Sequence, residues 1–445
     1  MIVDDRVFNT LPSHLLSLKT MKIFSRNEIR IRLQPDITDL TESHWQLEGE
    51  ERDREINEML TKKTSYAILS HRWLSKELTF QDMVSMKEEC MGGRSASGRI
   101  KMWRDYMLQH VKDVEEAVDK VSQFCKVACE ERYRCEYVWF DTGCINKESS
   151  AELEESIRSM FNWYRDSKIC IAYLKDTTSA FTMRKDPWFT RGWTLQELLA
   201  PREIKFFVRD WEEITNEPND RIVEPGIALW ETISNITAIP VRELCSFEPG
   251  ICNVRQRMEW ASRRKTTRIE DMAYCLIGLF GIALSIAYGE GKMAFYRLQL
   301  EIMQRSDDKS LFVWEGAPSA YNSMFAAGPE CFVPTESSSV FEEAEEVFGS
   351  TDTIYTLTNR GLRIRLPLYE VSEALPQDIT PVLFHQLPSE LRRLAILRRV
   401  NSSTCMAVLL YRPDGSQQYK RFPTKNILKI KYPKEIRPAE EIFIG

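Results

Sequence analysis

Trp193 and Glu197 lie four residues apart in GWTLQEL, so a helix through this segment would carry both on one face. An aromatic plane beside a carboxylate suits a nucleoside. The carboxylate can contact ribose hydroxyls or stabilise a developing oxocarbenium ion. The same spacing fits a core tryptophan and a surface glutamate of an amphipathic helix. Upstream, Ser70-His71-Arg72-Trp73 follows an apolar run. Arg72 offers a bidentate fork for phosphate or carboxylate, and His71 a base that titrates near neutrality. Asp141 ends a second apolar run, and Cys144 follows three residues on. A Cys144–His71 nucleophile is conceivable, although no local signature accompanies it. Tyr288-Gly289-Glu290-Gly291-Lys292 holds a G-x-G before a helical segment, where backbone N–H groups could cradle phosphate. It lacks the third glycine and the preceding strand of a dinucleotide fingerprint, and a tight turn explains it as well.

The surrounding pattern supplies elements able to position these groups. Residues 1–60 are polar, weakly periodic and end in the charge run GEERDREINEM, which reads as an N-terminal extension with some helix. SYAILSHRW (65–73), YVWFDTGCI (137–145), KICIAYLKD (168–176) and EIKFFVRDW (203–211) read as strands, the third apolar nearly throughout as expected when both faces are covered. Between them, TFQDM opens a helix near Thr79, MGGRSASGRIK (91–101) reads as a loop, and 103–130 is helical. Ser149 and Glu152 have capping-box spacing ahead of a helix with Leu153, Ile157, Met160, Phe161 and Tyr164 on one face. WFTRGWTLQELLAP (188–201) reads as a helix closed by Pro201. Alternating strands and helices predict an α/β fold, a parallel sheet with helices on both faces. Ligands of such sheets bind outside the carboxyl ends of the strands, which selects Ser70–Trp73, Asp141–Asn146 and the segment before Glu197.

The remaining chain divides into a mostly helical stretch and a β-rich one. The expected organisation is an extension (1–60), an α/β domain (61–215), a helical extension of it (216–310) and a C-terminal antiparallel β domain (311–445). In the last, TIYTLTNRGLRIRLPLYEV, TPVLFHQL, RLAILRRV and CMAVLLYR alternate, and Pro413-Asp414-Gly415-Ser416 reads as a hairpin turn. Met272–Gly289 is 18 residues without a charge, at the lower edge for a membrane span. Its internal glycines suit a buried helix and a turn at Gly281 instead.

The 445 residues carry a net charge of −6, with 43% hydrophobic and 28% charged residues. That composition fits a folded, soluble chain and gives no global reason to bind nucleic acid. The 11 cysteines are scattered and the 5 histidines lie far apart, so the expectation is reduced intracellular thiols and no metal. The N-terminus has early acidic residues and no apolar core, unlike a signal peptide.

In order, YAILSHRW, TFQDM, YVWFDTGCINKESSAELEESIRSMFNWYRDSKICIAYLKD and WFTRGWTLQELLAP resemble the fungal heterokaryon incompatibility (HET) domain over roughly residues 64–215. RMEWASRRKTTRIEDMAYCLIGLFGI and YGEGKMAFYRLQLEIMQRSDDKSLFVWE resemble what typically follows that domain. The chain departs from the family at SHRWLSKE, where glycine often follows the tryptophan, and at DTGCINK, where a second cysteine is common. HET domains look like relatives of TIR domains: AILSHR resembles the first TIR strand, and GWTLQEL the helix motif carrying the glutamate.

The resemblance implies a TIR-like (flavodoxin-like) sheet and a cytoplasmic effector of programmed cell death in fungal innate immunity. It implies self-association, a non-self recognition partner protein, no membrane span and no cofactor, with NAD as substrate. By motif, Glu197 is the catalytic residue. Ser70, Arg72, Trp73, Asp141 and Trp193 are the substrate-binding residues. Ser70 and Arg72 would line the nucleotide entrance, Asp141 would order the neighbouring loop, and Trp193 would support the helix. Such a site can be sparse. Nicotinamide leaves as a neutral pyridine, so the protein need supply only orientation and one negative charge near the ribosyl centre. The alternatives are a non-enzymatic adaptor that signals by oligomeric assembly and a degenerate, inert domain.

Overall fold

The computed structural model describes residues 7–43, 50–85, 95–221, 228–333, 355–371, 388, 391–401, 404–431, 433 and 437–445. The chain forms two compact units, Met1–Glu248 and Pro249–Gly445.

The first unit is built on a six-stranded mixed sheet. Its strands and α-helices are β1 (His14–Ser17), β2 (Ile23–Ser25), α1 (Arg26–Ser43), α2 (Glu50–Lys63), β3 (Tyr66–His71), α3 (Phe80–Val84), α4 (Ala96–His110), α5 (Glu115–Cys129), β4 (Tyr137–Trp139), α6 (Asp141–Cys144), α7 (Ser150–Asp166), β5 (Ile169–Tyr173), α8 (Thr194–Leu199), β6 (Ile204–Phe207), α9 (Ala228–Thr237) and α10 (Val241–Cys245). The strand order is β2-β1-β4-β3-β5-β6. β3 pairs parallel with β4 and β5, and β5 with β6, as the strand–helix alternation requires. Every residue of β3 is buried, so both faces of the sheet are covered there.

Four local expectations need correction. The N-terminal segment is no mere extension: β1 pairs antiparallel with β2 and β4, which makes the sheet mixed. Its Leu15 and Leu16 are fully buried, and His14 Nδ1 lies 2.9 Å from Glu152 Oε1 at the start of α7. The second strand stops at Trp139, because the chain turns helical at Asp141. A helix starts inside MGGRSASGRIK, where the Ser95 hydroxyl accepts from the Gly98 N–H and caps α4; residues 91–94 of that segment lie outside the described residues. Finally, 188–201 is not one helix. A 3-10 turn, Pro187–Thr190, precedes a short α8.

Other expectations hold. The helix expected near Thr79 forms as α3, and Thr79 with Asp82 makes a full capping box at its start. Ser149 caps α7, but Glu152 completes only half of its box: the carboxylate takes the Asn146 N–H and faces His14 instead. Ile157, Met160, Phe161 and Tyr164 are the buried face of α7.

The second unit holds helices Val254–Ala261, Asp271–Tyr274, Ile277–Phe280 and Met293–Arg305, and a seven-stranded sheet. Its strands, β7 (Thr356–Thr358), β8 (Gly361–Tyr369), β9 (Arg392–Asn401), β10 (Thr404–Tyr411), β11 (Lys420–Arg421), β12 (Leu428–Lys431) and β13 (Ala439–Ile444), pair antiparallel throughout. The expected strand TPVLFHQL lies outside the described residues. The Pro413–Ser416 turn forms as expected: Ser416 N–H donates to Pro413 O at 2.9 Å, and Gly415 takes a φ of 71°. The uncharged 272–289 stretch is cut by left-handed Gly281 (φ 61°). No helix among the described residues is long and apolar enough to cross a membrane.

Candidate functional site

Ser70, near the carboxyl end of β3, is fully buried. Its hydroxyl donates to Glu197 Oε2 at 2.5 Å, and the Trp188 indole N–H donates to Ser70 Oγ at 2.8 Å. Trp188, Ser70 and Glu197 thus form one donor chain ending on the carboxylate. Glu197 is only 7% exposed. A carboxylate so far out of water needs such donors.

Local sequence builds each support. Asp186 caps the 3-10 turn by accepting from Trp188 N–H, and Pro187 sits at its first position. Asp186 also accepts from Thr177 Oγ1 at 2.9 Å, while Thr194 Oγ1 donates to Trp188 O at 2.6 Å. The indole is therefore held from both sides of the turn. Arg221 donates to the carbonyls of Leu198 and Leu244, which satisfies one free carbonyl at the end of α8. Cys170 of β5 packs against the Glu197 backbone, its Sγ 3.9 Å from the carbonyl; burial pushes this thiol well up, and Glu197 adds to it. Tyr164 of α7 is also pushed up, first by burial and then by Glu197. Its hydroxyl donates to Leu69 O at 3.1 Å.

The other expected residues gather at the same strand ends, closer to the surface. Trp73 is 43% exposed; its indole N–H donates to Asp141 Oδ2 at 2.7 Å. Lys147 Nζ and Arg191 Cζ lie 4.1 and 5.5 Å from its ring centroid. Asp141 Oδ1 is 3.9 Å from His71 Nε2. Arg72 is exposed and donates to Asp176 at 3.1 Å. Trp193 stands at the start of α8, half-buried, with its carbonyl accepting from Glu197 N–H at 3.4 Å. The indole bonded into the carboxylate's donor chain is Trp188. No spacing rule could find it, because it meets Ser70 across 118 residues of sequence.

A buried charge network lies behind this surface. Glu77 Oε1 is 2.5 Å from Lys120 Nζ and 3.7 Å from His71 Nε2, the latter an ion-pair distance rather than a hydrogen bond. Burial alone would raise the Glu77 carboxyl; His71 and Lys120 outweigh it and hold it at about 2. Burial, with Lys120 nearby, lowers His71 from its ordinary value against the pull of Glu77 and Asp141.

Two other candidates are structural. Burial raises the Cys144 thiol to about 12, which removes the thiolate a nucleophile needs. The G-x-G cradle is already filled from within: the Gly289 and Gly291 N–H groups donate to Glu270 Oε1 at 2.9 and 3.0 Å. Glu270→Ala should strand both donors and cost about 1–3 kcal/mol, read as a lower denaturant midpoint at unchanged slope.

Residues 66–185 match the family described as Heterokaryon incompatibility protein (HET), and residues 293–324 match a domain of unknown function (DUF8212). The first match covers Ser70, Arg72, Trp73 and Asp141 and ends before Trp188, Trp193 and Glu197. The chain is 40% identical over 178 residues to "Vegetative incompatibility protein HET-E-1" of Podospora anserina, which is 37% of this chain and 12% of that protein. The alignment thus spans a small part of that much longer relative. No solved structure matches. Through the strands and helices of residues 66–185, this chain is similar to the proteins that carry a heterokaryon incompatibility domain.

Proposed function

We propose that the chain is a heterokaryon-incompatibility effector that kills by hydrolysing NAD on self-association, with Glu197 as its catalytic carboxylate. The observation that carries this reading is a nearly buried glutamate at the carboxyl end of a parallel sheet, oriented by Ser70 and, through it, by Trp188. Two features support it. The four parallel strands run 2-1-3-4 in chain order, the start of the flavodoxin-like order. The relative bears the name of a vegetative incompatibility protein.

In this reading the bond between the ribosyl C1′ and the nicotinamide nitrogen breaks, and its electron pair neutralises the pyridinium. Glu197 stabilises the positive charge left on the ribose. Water then adds at C1′, and its proton passes to the carboxylate and on to solvent. Trp73 and Arg72 flank the entrance, and Asp141 fixes Trp73.

The test is nicotinamide release by concentrated, purified protein supplied with NAD. Steady release that vanishes in Glu197→Ala supports the reading, and release that survives the substitution overturns it. The adaptor reading predicts the opposite pairing in cells: killing that persists in Glu197→Gln without loss of NAD.

A further inference from the structure

A cleft of about 610 Å³ opens between α4, α5 and the carboxyl ends of β3 and β5. Within the parallel part of the sheet, β3 is joined through α4 and α5 to β4 on one side, and the chain then returns to β5 on the other. The gap between β3 and β5 is therefore the topological switch point, where open α/β sheets take their ligands.

The lining is chemically specific. Arg72, Lys101, Arg104, Lys120, Lys126 and Lys175 bring six cations from four separate segments, against the carboxylates of Glu116, Asp119 and Asp210. Four of the cations are held in ion pairs: Arg72 with Asp176, Arg104 with Asp119, Lys120 with Glu77 and Lys175 with Glu116. Exposed Lys101 and Lys126 have no ion-pair partner among the described residues. The opposite wall is aromatic. Tyr173 and Trp211 stack at 4.5 Å and 9°. Trp211 is brought there by two consecutive left-handed residues, Asp210 (φ 60°) and Trp211 itself (φ 63°). Neither is glycine, and backbone in this region persists only where the surroundings enforce it, commonly at ligand clamps.

We propose that this cleft binds a nucleoside diphosphate, with the base against the Trp211 wall and the phosphates on Lys101 and Lys126. Cations alone would take any phosphate and the aromatic wall alone any planar ring; together they select a ligand carrying both. The proposal does not rest on the hydrolase reading, because Glu197 is not among the residues lining the cleft.

Calorimetric titration of the full chain tests it, with ADP, inorganic pyrophosphate and adenosine as probes. ADP should bind saturably and more tightly than pyrophosphate or adenosine, and its affinity should fall as salt rises. The double variant Lys101→Glu/Lys126→Glu changes two exposed side chains, so the fold should survive, and ADP affinity should drop by about tenfold or more. Absence of saturable ADP binding, adenosine binding as tightly as ADP, or an unchanged affinity in the double variant would each overturn the cleft assignment. ADP binding should persist in Glu197→Gln, so failure of hydrolysis and failure of the cleft give different results.

Discussion

Glu197→Gln is expected to lower nicotinamide release by about a hundred- to a thousandfold, the scale for losing one preorganised electrostatic group. The amide is nearly isosteric, and its oxygen can still accept the Ser70 hydroxyl that now lies 2.5 Å from Oε2. Folding should be unaffected, and the thermal midpoint should equal or exceed that of the parent, because a desolvated carboxylate has gone. Trp188→Phe separates chemistry from positioning. It removes the N–H that donates to Ser70 at 2.8 Å together with part of a fully buried ring, so the denaturation midpoint is measured alongside to separate lost orientation from lost packing. About a tenfold fall in kcat with little change in KM is expected, since the group acts on orientation and not on binding. Equal release by Glu197→Gln and wild type would remove the carboxylate from the mechanism, however well the fold is preserved.

The second large effect concerns stability. In Glu77→Gln, Lys120, with 4% side-chain exposure, loses the carboxylate 2.5 Å from its ammonium. Breaking a buried pair in this way typically costs about 3–5 kcal/mol. A denaturation midpoint within experimental error of the parent would refute the assignment.

The same network sets a pH dependence. The folded Glu77 carboxyl stands at about 2 against an ordinary 4.5, so its contribution is complete above 4.5 and is lost as pH falls from 4.5 toward 2. That shift corresponds to about 3 kcal/mol. The folded His71 is also depressed, from 6.5, so its contribution begins to fade as pH drops below 6.5. Both groups act in one direction, with Lys120 and Asp141 as the facing charges. Stability should therefore decline continuously on acidification from about pH 6.5, and Glu77→Gln should flatten the lower part of that limb. Denaturant midpoints between pH 7 and pH 4 measure both slopes.

The parallel strands were legible because burial on both faces leaves one signature, an unbroken apolar run. YAILSH and KICIAY carry it, and both form strands of the sheet. The α7 face was legible because period 3.6 survives in any context, and the Pro413–Ser416 turn because its residues suit its backbone. The β1 strand was not: four residues without alternation carry too little pattern, and its burial exists only because β4 lies beside it. The GWTLQEL helix was over-extended because the Asp186-Pro187-Trp188 turn stops it at Thr194.

At the candidate site, the sequence by itself singled out Glu197 as a candidate and determined that Ser70, Arg72, Trp73 and Asp141 would reach the sheet's carboxyl edge, since strand ends follow from hydropathy. Only the tertiary structure decided that Ser70 donates to Glu197, that Trp188 rather than Trp193 supplies the indole in that chain, and that Glu77, Lys120 and His71 share one buried pocket. The physical reason is that pattern reports which face an element buries, whereas a hydrogen bond depends on two groups, here 127 and 118 residues apart, arriving within about 3 Å of each other.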